Sequence, residues 1–319
     1  SSPRLLTLRI SHAHPTPRAS PAAEPNPVID AKGSALFMRA LVVRITVLGN
    51  DWPCLVGRMT FSHVLLTGAS SGIGRALALA LAAPGVTLHL GGRDAARLAA
   101  VAEDCQAKGA IAYPRVLSVT DEAAMGEWIH SAGTLDLVIA NAGISGGTGS
   151  EGGGTLENEA QTRAIFATNL DGMLNTVLPA MAAMALQPPD PAGVRGRIAV
   201  VASVAAFLPG PGAPAYCASK AAVDSWVVGT APSARRLGIR MTSLCPGFIA
   251  TPMTANNGFP MPGIMSAERA AERMLRAIRL DMTRYAFPGW IAAGARLAAL
   301  LPAEWREAIA RRFPAKRAL

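Results

Sequence analysis

The chain of 319 residues is 50% apolar and 16% charged, with 31 Gly and 5% aromatic residues, which excludes a stapled miniprotein and a disordered chain and leaves one large domain or two small ones. Its formal charge is +9, yet no Lys/Arg-rich run of the kind that follows a phosphate backbone appears, so no nucleic-acid partner is expected. No uninterrupted apolar stretch reaches the roughly 18 residues of a spanning helix, and Cys54, Cys105, Cys217 and Cys245 lack the spacing of a zinc site or disulfide framework, which fits a reducing compartment.

Residues 1–58 differ in character from the rest of the chain. They hold seven Lys/Arg against three Asp/Glu, with Pro scattered through HAHPTPRASPAAEPNP and no sustained period. A transit peptide, an ordered extra arm and a translated leader upstream of a start at Met59 are the three readings, and all but the second leave the segment outside the fold. The leader fits best, because Met59 stands four residues before the first predicted strand. The apolar piece SALFMRALVVRITVLG within it has the composition to dock as a helix or strand.

From Met59 onward, β-branched runs alternate with Ala/Leu-rich helical stretches, the pattern of β-α-β units around a parallel sheet. Strands are predicted over 63–67, 86–90, 111–116, 135–140, 197–202, 239–245 and 284–287, with helices beginning near Gly72, Ala95, Glu122, Glu157, Tyr216 and Ser266. The fold class is therefore α/β: a Rossmann-type, doubly wound, seven-stranded and mostly parallel sheet with helices on both faces. Its right-handed crossovers open a ligand crevice at the carboxyl ends of the strands.

The first such end carries VLLTGASSGIGRALALALA, which sets Gly68, Gly72 and Gly74 between strand and helix. Backbone can then approach a pyrophosphate at a helix N-terminus. The same letters satisfy G-x-S-x-G, which makes Ser70 a formal hydrolase nucleophile. That chemistry needs a downstream histidine, and the two available are His89, inside a strand, and His130, within a helix. A serine hydrolase is thus a remote alternative.

TGASSGIG is joined by NAG at Asn141, Ala142 and Gly143, by Asn169 in ATNLDG, by Ser203 in VVASVAA, by YCASK from Tyr216 to Lys220, and by PGFIATP from Pro246. In this order and spacing, with thirteen residues from Ser203 to Tyr216, the chain resembles the short-chain dehydrogenase/reductase family. The likeness divides the chain into an extension (1–58), a Rossmann-fold oxidoreductase domain (59–289) and an amphipathic basic C-terminal extension (290–319).

The chemistry can also be argued from the residues. A tyrosine is a poor base near neutral pH unless a cation stabilises its phenolate. Lys220 lies four residues beyond Tyr216, on the same helix face, where its ammonium would lower the Tyr216 pKa and reach the ribose of a nicotinamide nucleotide. Ser203 would hydrogen-bond the substrate oxygen where charge develops. The resemblance adds Asn169, holding a water in a proton relay from Lys220. The implied reaction is reversible hydride transfer between nicotinamide and a carbonyl or secondary alcohol, with Tyr216 as general acid/base and no metal. Cys217 is expected as a small buried residue.

The resemblance also implies a cofactor site built from Gly68, Ser70, Ser71, Gly72, Ile73, Gly74, Arg93, Ser118, Val119, Asn141, Ala142, Gly143, Tyr216, Lys220, Pro246, Gly247, Ile249 and Thr251. Gly92 stands where an NAD-preferring enzyme places a carboxylate, and Arg93 follows with donors for a 2′-phosphate, which favours NADP(H) over NAD(H). The bland alternative has Arg93 in an ordinary loop, partly neutralised by Asp94 as helix N-cap. Ser118 replaces the family's usual Asp after the third strand.

On the substrate side, Phe248, Met253, Phe259, Met261, Ile264 and Met265 suggest an apolar pocket under a lid, while six Gly in residues 145–154 form no rigid wall unaided. A small apolar ketone, aldehyde or alcohol fits. Beyond Gly289, two Trp and six Lys/Arg against two Glu suit a helix in peripheral contact with an anionic membrane, or packed over the cleft or a neighbouring subunit. A cytoplasmic homodimer or homotetramer is implied, and Pro232 is expected to interrupt and kink one interface helix. A nucleotide-binding sensor or scaffold without turnover is the remaining alternative.

Overall fold

The structure, a computed structural model, describes residues 60–149, 156–255, 257–258, 260–302 and 304–305. The expectations for residues 1–58, for Phe259 and for the tail past Trp305 lie outside the described residues.

In chain order the elements are β1 (His63–Thr67), α1 (Gly72–Leu81), β2 (Thr87–Gly92), α2 (Ala95–Gln106), β3 (Ile111–Val116), α3 (Glu122–Ser131), β4 (Leu137–Ala140) and α4 (Glu159–Phe166). A π-helical segment, Ala167–Asp171, joins α4 to α5 (Gly172–Leu186). Then come β5 (Gly196–Val201), a 3-10 turn (Val204–Phe207), α6 (Pro214–Arg236), β6 (Ile239–Pro246), β7 (Ile249–Ala250), α7 (Pro252–Ala255), β8 (Met265–Ser266), α8 (Ala267–Arg279), β9 (Arg284–Phe287) and α9 (Gly289–Ala299).

The seven-stranded sheet has the order β3-β2-β1-β4-β5-β6-β9, and every pairing in it is parallel. Central strands buried on both faces are mostly apolar, and the one charge in β5, Arg197, is paired with Asp281 at 2.8 Å. β4 (LVIA) and β5 (GRIAVV) are buried along their whole length. Two apolar layers flank the sheet. One packs Leu66, Leu88, Leu90 and Leu244 against α1, α2 and α8. The other packs Leu65, Val138, Ile198 and Met241 against α3, α5 and α6. Strand order reverses between β1 and β4, and a crevice opens beyond their carboxyl ends.

Helix starts follow side-chain chemistry. Asp94, Asp121, Asn158 and Ser266 each accept a hydrogen bond from a backbone N–H in the first turn of the helix they precede. The six predicted helices begin within two residues of their predicted starts, while those at Gly172, Pro252 and Gly289 had no predicted start. The expected interruption at Pro232 does not occur, and α6 runs through it to Arg236. Ala231 and Ala234 on either side are buried, at 4% and 0% exposure, so packing outweighs the one lost hydrogen bond.

Candidate active site

The turn between β1 and α1 is formed by backbone under tight constraint. Gly68 and Gly72 have φ of 67° and 53°, in the left-handed region that favours glycine. A Cβ on Gly74 would lie 2.0 Å from the Gly68 carbonyl oxygen, and one on Gly68 would lie 2.9 Å from Asn141 Nδ2. Asn141 braces this turn, its Nδ2 donating to the carbonyls of Thr67 (3.0 Å) and Gly68 (3.1 Å). No side chain caps the N-terminus of α1, and no acidic residue stands in its first turn. Its first N–H groups therefore face the crevice with a positive dipole end, ready for an anion. Across the opening Thr251 Cγ2 lies 3.0 Å from where Gly72 would carry a Cβ, so β7 and the glycine turn form opposite lips.

The crevice encloses about 630 Å³ and is lined by every residue of the predicted cofactor set, together with Ser203. Asn169 does not line it. Residues the sequence reading missed also line it, among them Arg97, Leu117 and Trp128. Gly91, buried in β2, leaves room for the Trp128 ring, 2.5 Å from its absent Cβ. The donor set fits a dinucleotide: glycine backbone at a helix N-terminus for pyrophosphate, an apolar wall at Leu117 and Trp128 for a base, and Lys220 within the same space.

At the end of β2, a Cβ on Gly92 would meet Ser70 at 3.4 Å, and Arg93 is exposed. Asp94 caps α2 through the Arg97 N–H and pairs with Arg97 Nε at 2.6 Å. Neutralisation of Arg93 by Asp94 was the bland expectation; the carboxylate is instead occupied by Arg97. Ser118 Oγ shares a 2.8 Å hydrogen bond with Thr120 Oγ1.

Ser203 lies two residues past β5 and caps the 3-10 turn, its Oγ accepting from the Ala205 N–H at 3.1 Å. That bond orients the hydroxyl, and Ser203 also hydrogen-bonds Tyr216. Burial holds the Tyr216 phenol above its ordinary value, and the Ser203 bond offsets this only in part. The expected lowering by Lys220 is therefore not seen in the protein alone. Lys220 Nζ donates to the Val201 carbonyl at 2.7 Å, and burial pushes its own pKa down to about 8. The neighbouring Cys245 thiol, raised to about 12 by burial and then by the Asp224 charge, supplies no anion near neutral pH. Cys217 is a small buried residue, 8% exposed, as expected.

Asn169 sits behind the crevice wall, 2% exposed. Its Oδ1 accepts from the Ile144 N–H at 2.8 Å, while its Nδ2 donates to the Ile144 carbonyl and to Ser219 Oγ, both at 3.0 Å. The helix around it is π rather than α, a form found mostly as single turns within α-helices. Gly143 permits the close approach, its absent Cβ lying 3.1 Å from Asn169 Oδ1 and 3.4 Å from Lys220 Nζ.

Two supports had no readable signal in the sequence. Glu157 accepts the Ala215 N–H at 2.8 Å and so caps α6 one residue before Tyr216, across 58 positions of chain. Asp224, four residues past Lys220, binds Arg284 of β9 at 2.7 Å and accepts Ser243 Oγ at 2.7 Å, which fixes α6 to the sheet edge. The glycine-rich loop is held in its described part by Gln161 Nε2, which donates to the Gly147 carbonyl at 3.0 Å. The lid segment is closed at its base by the two-stranded pairing of β7 with β8.

Ser70 lines the crevice, and among the described residues no histidine lines it. His89 stacks on Tyr113 at 5.5 Å, and His130 Nδ1 contacts the Gly126 carbonyl.

Comparison with known proteins agrees with this geometry. The family described as short chain dehydrogenase matches residues 62–259. An uncharacterized oxidoreductase of Myxococcus xanthus is 37% identical over 265 residues, covering 81% of this chain and all of that protein. Among solved structures, a short-chain type dehydrogenase/reductase from Mycobacterium marinum superposes with a TM-score of 0.59 at 25% identity, over 70% of this chain and 90% of that one. A 3-ketoacyl-ACP reductase from Sinorhizobium meliloti gives 0.58 at 29%, over 70% and 95%. The chain belongs to the short-chain dehydrogenase/reductase family and is an NAD(P)-dependent oxidoreductase.

Proposed function

We propose that the chain transfers a hydride between NADP(H) and the carbonyl or secondary alcohol carbon of a small apolar substrate, with Tyr216 as general acid/base. The reading rests above all on one observation: the hydrogen-bonded pair Ser203 and Tyr216 lines the same crevice as the uncapped glycine turn. The bound nicotinamide supplies or accepts the hydride. Ser203 donates a hydrogen bond to the substrate oxygen, and Tyr216 gives that oxygen a proton on reduction and takes it back on oxidation. A phenol whose pKa is raised by burial is protonated near neutral pH, ready to donate. Lys220 would leave the Val201 carbonyl for a ribose hydroxyl, bringing its charge toward Tyr216. Asn169, within the π segment, would hold the relay water.

NADP(H) preference is supported by the absence of a carboxylate at Gly92 and by exposed Arg93, whose neighbour Asp94 is taken up by Arg97. Ser118 would contact the adenine amino group. We further propose a cytoplasmic homodimer or homotetramer using α4, α5 and α6, with the C-terminal extension in peripheral contact with a membrane. Leu178 and Leu186 on α5, 51% and 88% exposed, suit a subunit contact, and the buried thiols of Cys105, Cys217 and Cys245 suit a reducing compartment.

The test is a fluorescence titration with NADPH and NADH, followed by turnover across a panel of apolar ketones and aldehydes. NADPH should bind more tightly, and Arg93→Ala should weaken it by about tenfold while leaving NADH unchanged. Equal loss for both nucleotides would overturn the role of Arg93. Tight NADPH binding with no turnover of any panel member would favour a sensor.

A further inference from the structure

One side of α9 is apolar and bare among the described residues. On the helix Trp290 is 61% and Leu297 66% exposed; Leu300 at its C-terminal cap is 81% exposed and Trp305, past its end, 65%. Positions 290, 293, 294, 297 and 300 fall along one helix side, and Ala293 and Gly294 between the larger residues are exposed as well. The opposite side, with Ala292 buried at 2%, faces the protein.

This helix touches both chain segments that leave the substrate end of the crevice. Trp290 Cζ2 and Ile291 Cδ1 lie 3.0 and 3.3 Å from where Gly263, in the segment between β7 and β8, would carry a Cβ. The Arg296 guanidinium lies 4.1 Å from the ring centre of Phe207, which ends the turn that Ser203 begins. Beyond Trp305 the sequence continues with Arg306, Arg311, Arg312, Lys316 and Arg317 against Glu307 alone.

We infer that the bare side of α9 rests on an anionic lipid surface, and that the substrate of the proposed reaction is an apolar alcohol or ketone dissolved in that surface. This inference rests on and deepens the function proposed above: it gives the membrane contact of the C-terminal extension a docking face, and the reaction a substrate class. Charge selects the occupant. In a two-fold contact between copies the same basic sequence would meet itself. Two large apolar side chains on an eleven-residue helix, with Leu300 at its cap and Trp305 beyond, also present far less than the roughly 800 Å² per partner of a stable interface. A lipid surface accepts both features: Leu side chains enter the acyl boundary, Trp rings sit at headgroup level, and Arg and Lys meet the phosphates. Docked this way, the layer lies beside Gly263 and Phe207, so an apolar substrate passes to Ser203 and Tyr216 without crossing water.

The full chain should co-sediment with vesicles of phosphatidylglycerol and phosphatidylcholine in equal parts and not with phosphatidylcholine alone. Leu297→Glu combined with Leu300→Glu should reduce that binding at least about tenfold while leaving thermal stability and the turnover of water-soluble ketones unchanged, since both side chains face solvent. Anionic vesicles should raise kcat/KM for the water-insoluble members of the panel in the wild type and not in the variant. Failure to bind anionic vesicles, or equal binding by the variant, overturns the docking surface. A concentration-dependent dimer that the variant abolishes also overturns it, in favour of a second copy. Vesicle binding with no effect on insoluble ketones overturns lipid-dissolved substrate delivery. Vesicle binding with no turnover of any ketone supports the surface and counts against the reaction.

Discussion

Around the glycine turn, the absence of a Cβ on three glycines sets the critical distances. Gly74 stands against the Gly68 carbonyl, Gly68 against Asn141, and Gly72 against Thr251, with no spare volume between them. Around Tyr216, side chains from distant segments do the positioning. Ser203 caps the turn after β5, Lys220 is tied to Val201, Glu157 caps α6, and Asp224 holds Arg284 at the sheet edge. The difference teaches where each half can vary. The nucleotide half tolerates almost no added atom, because neighbouring backbone has nowhere to move. The catalytic half depends on particular polar groups whose partners lie far away in sequence, and past it the apolar walls are loops and an exposed helix.

If that contrast is correct, the largest effect belongs to the smallest change in shape. Tyr216→Phe should reduce kcat by about 10² to 10⁴-fold, the range for loss of a general acid, and leave NADPH affinity nearly unchanged. Steady-state rates beside a fluorescence titration would show it, and equal losses in rate and binding would place Tyr216 in the nucleotide half instead.

The reverse pattern is expected for Gly74→Ala. A Cβ 2.0 Å from the Gly68 carbonyl oxygen forces the turn open, so NADPH should bind about a hundredfold more weakly, roughly 3 kcal/mol. Circular dichroism would check that the sheet persists. Undiminished binding in a folded variant would mean that the turn can yield after all.

The smallest effect sharpens the catalytic half. Lys220 titrates at about 8 in the folded chain against an ordinary 10.5. Below pH 8 the whole cost of burying the ammonium is present. Between those values the unfolded chain binds more protons, so the stability of the ligand-free protein should rise with pH, by on the order of 1 to 3 kcal/mol, and level off above. Lys220→Met should lack this rise. Denaturation midpoints at neutral and alkaline pH, compared as wild type minus variant, would detect it; parallel curves would show that the ammonium is well solvated.

Much of this was legible in the residues themselves. All seven strands of the sheet fall on predicted runs, with ends differing by at most two residues, because β-branched and apolar runs alternate with helical stretches, even in the largely exposed edge strand β3. The crevice assembled the predicted set because its members stand at strand ends, which a parallel sheet gathers along one edge. The π segment at Asn169 was not readable, since ATNLD suits an α-helix equally well and the partners of Asn169, Ile144 and Ser219, lie 25 and 50 positions away. The continuity of α6 through Pro232 was likewise a matter of its neighbours.

The sequence by itself determined the order of strands and helices, the glycine turn and the Ser203, Tyr216 and Lys220 spacing, since each depends on local periodicity or on a short stretch of backbone. Only the tertiary structure decided that Asp94 serves Arg97 and not Arg93, that Lys220 rests on Val201, that Glu157 caps the helix bearing Tyr216, and that α9 touches both Gly263 and Phe207. Those contacts join residues whose partners are chosen by three-dimensional proximity and by competition for the same polar atoms, and neither quantity is written along the chain.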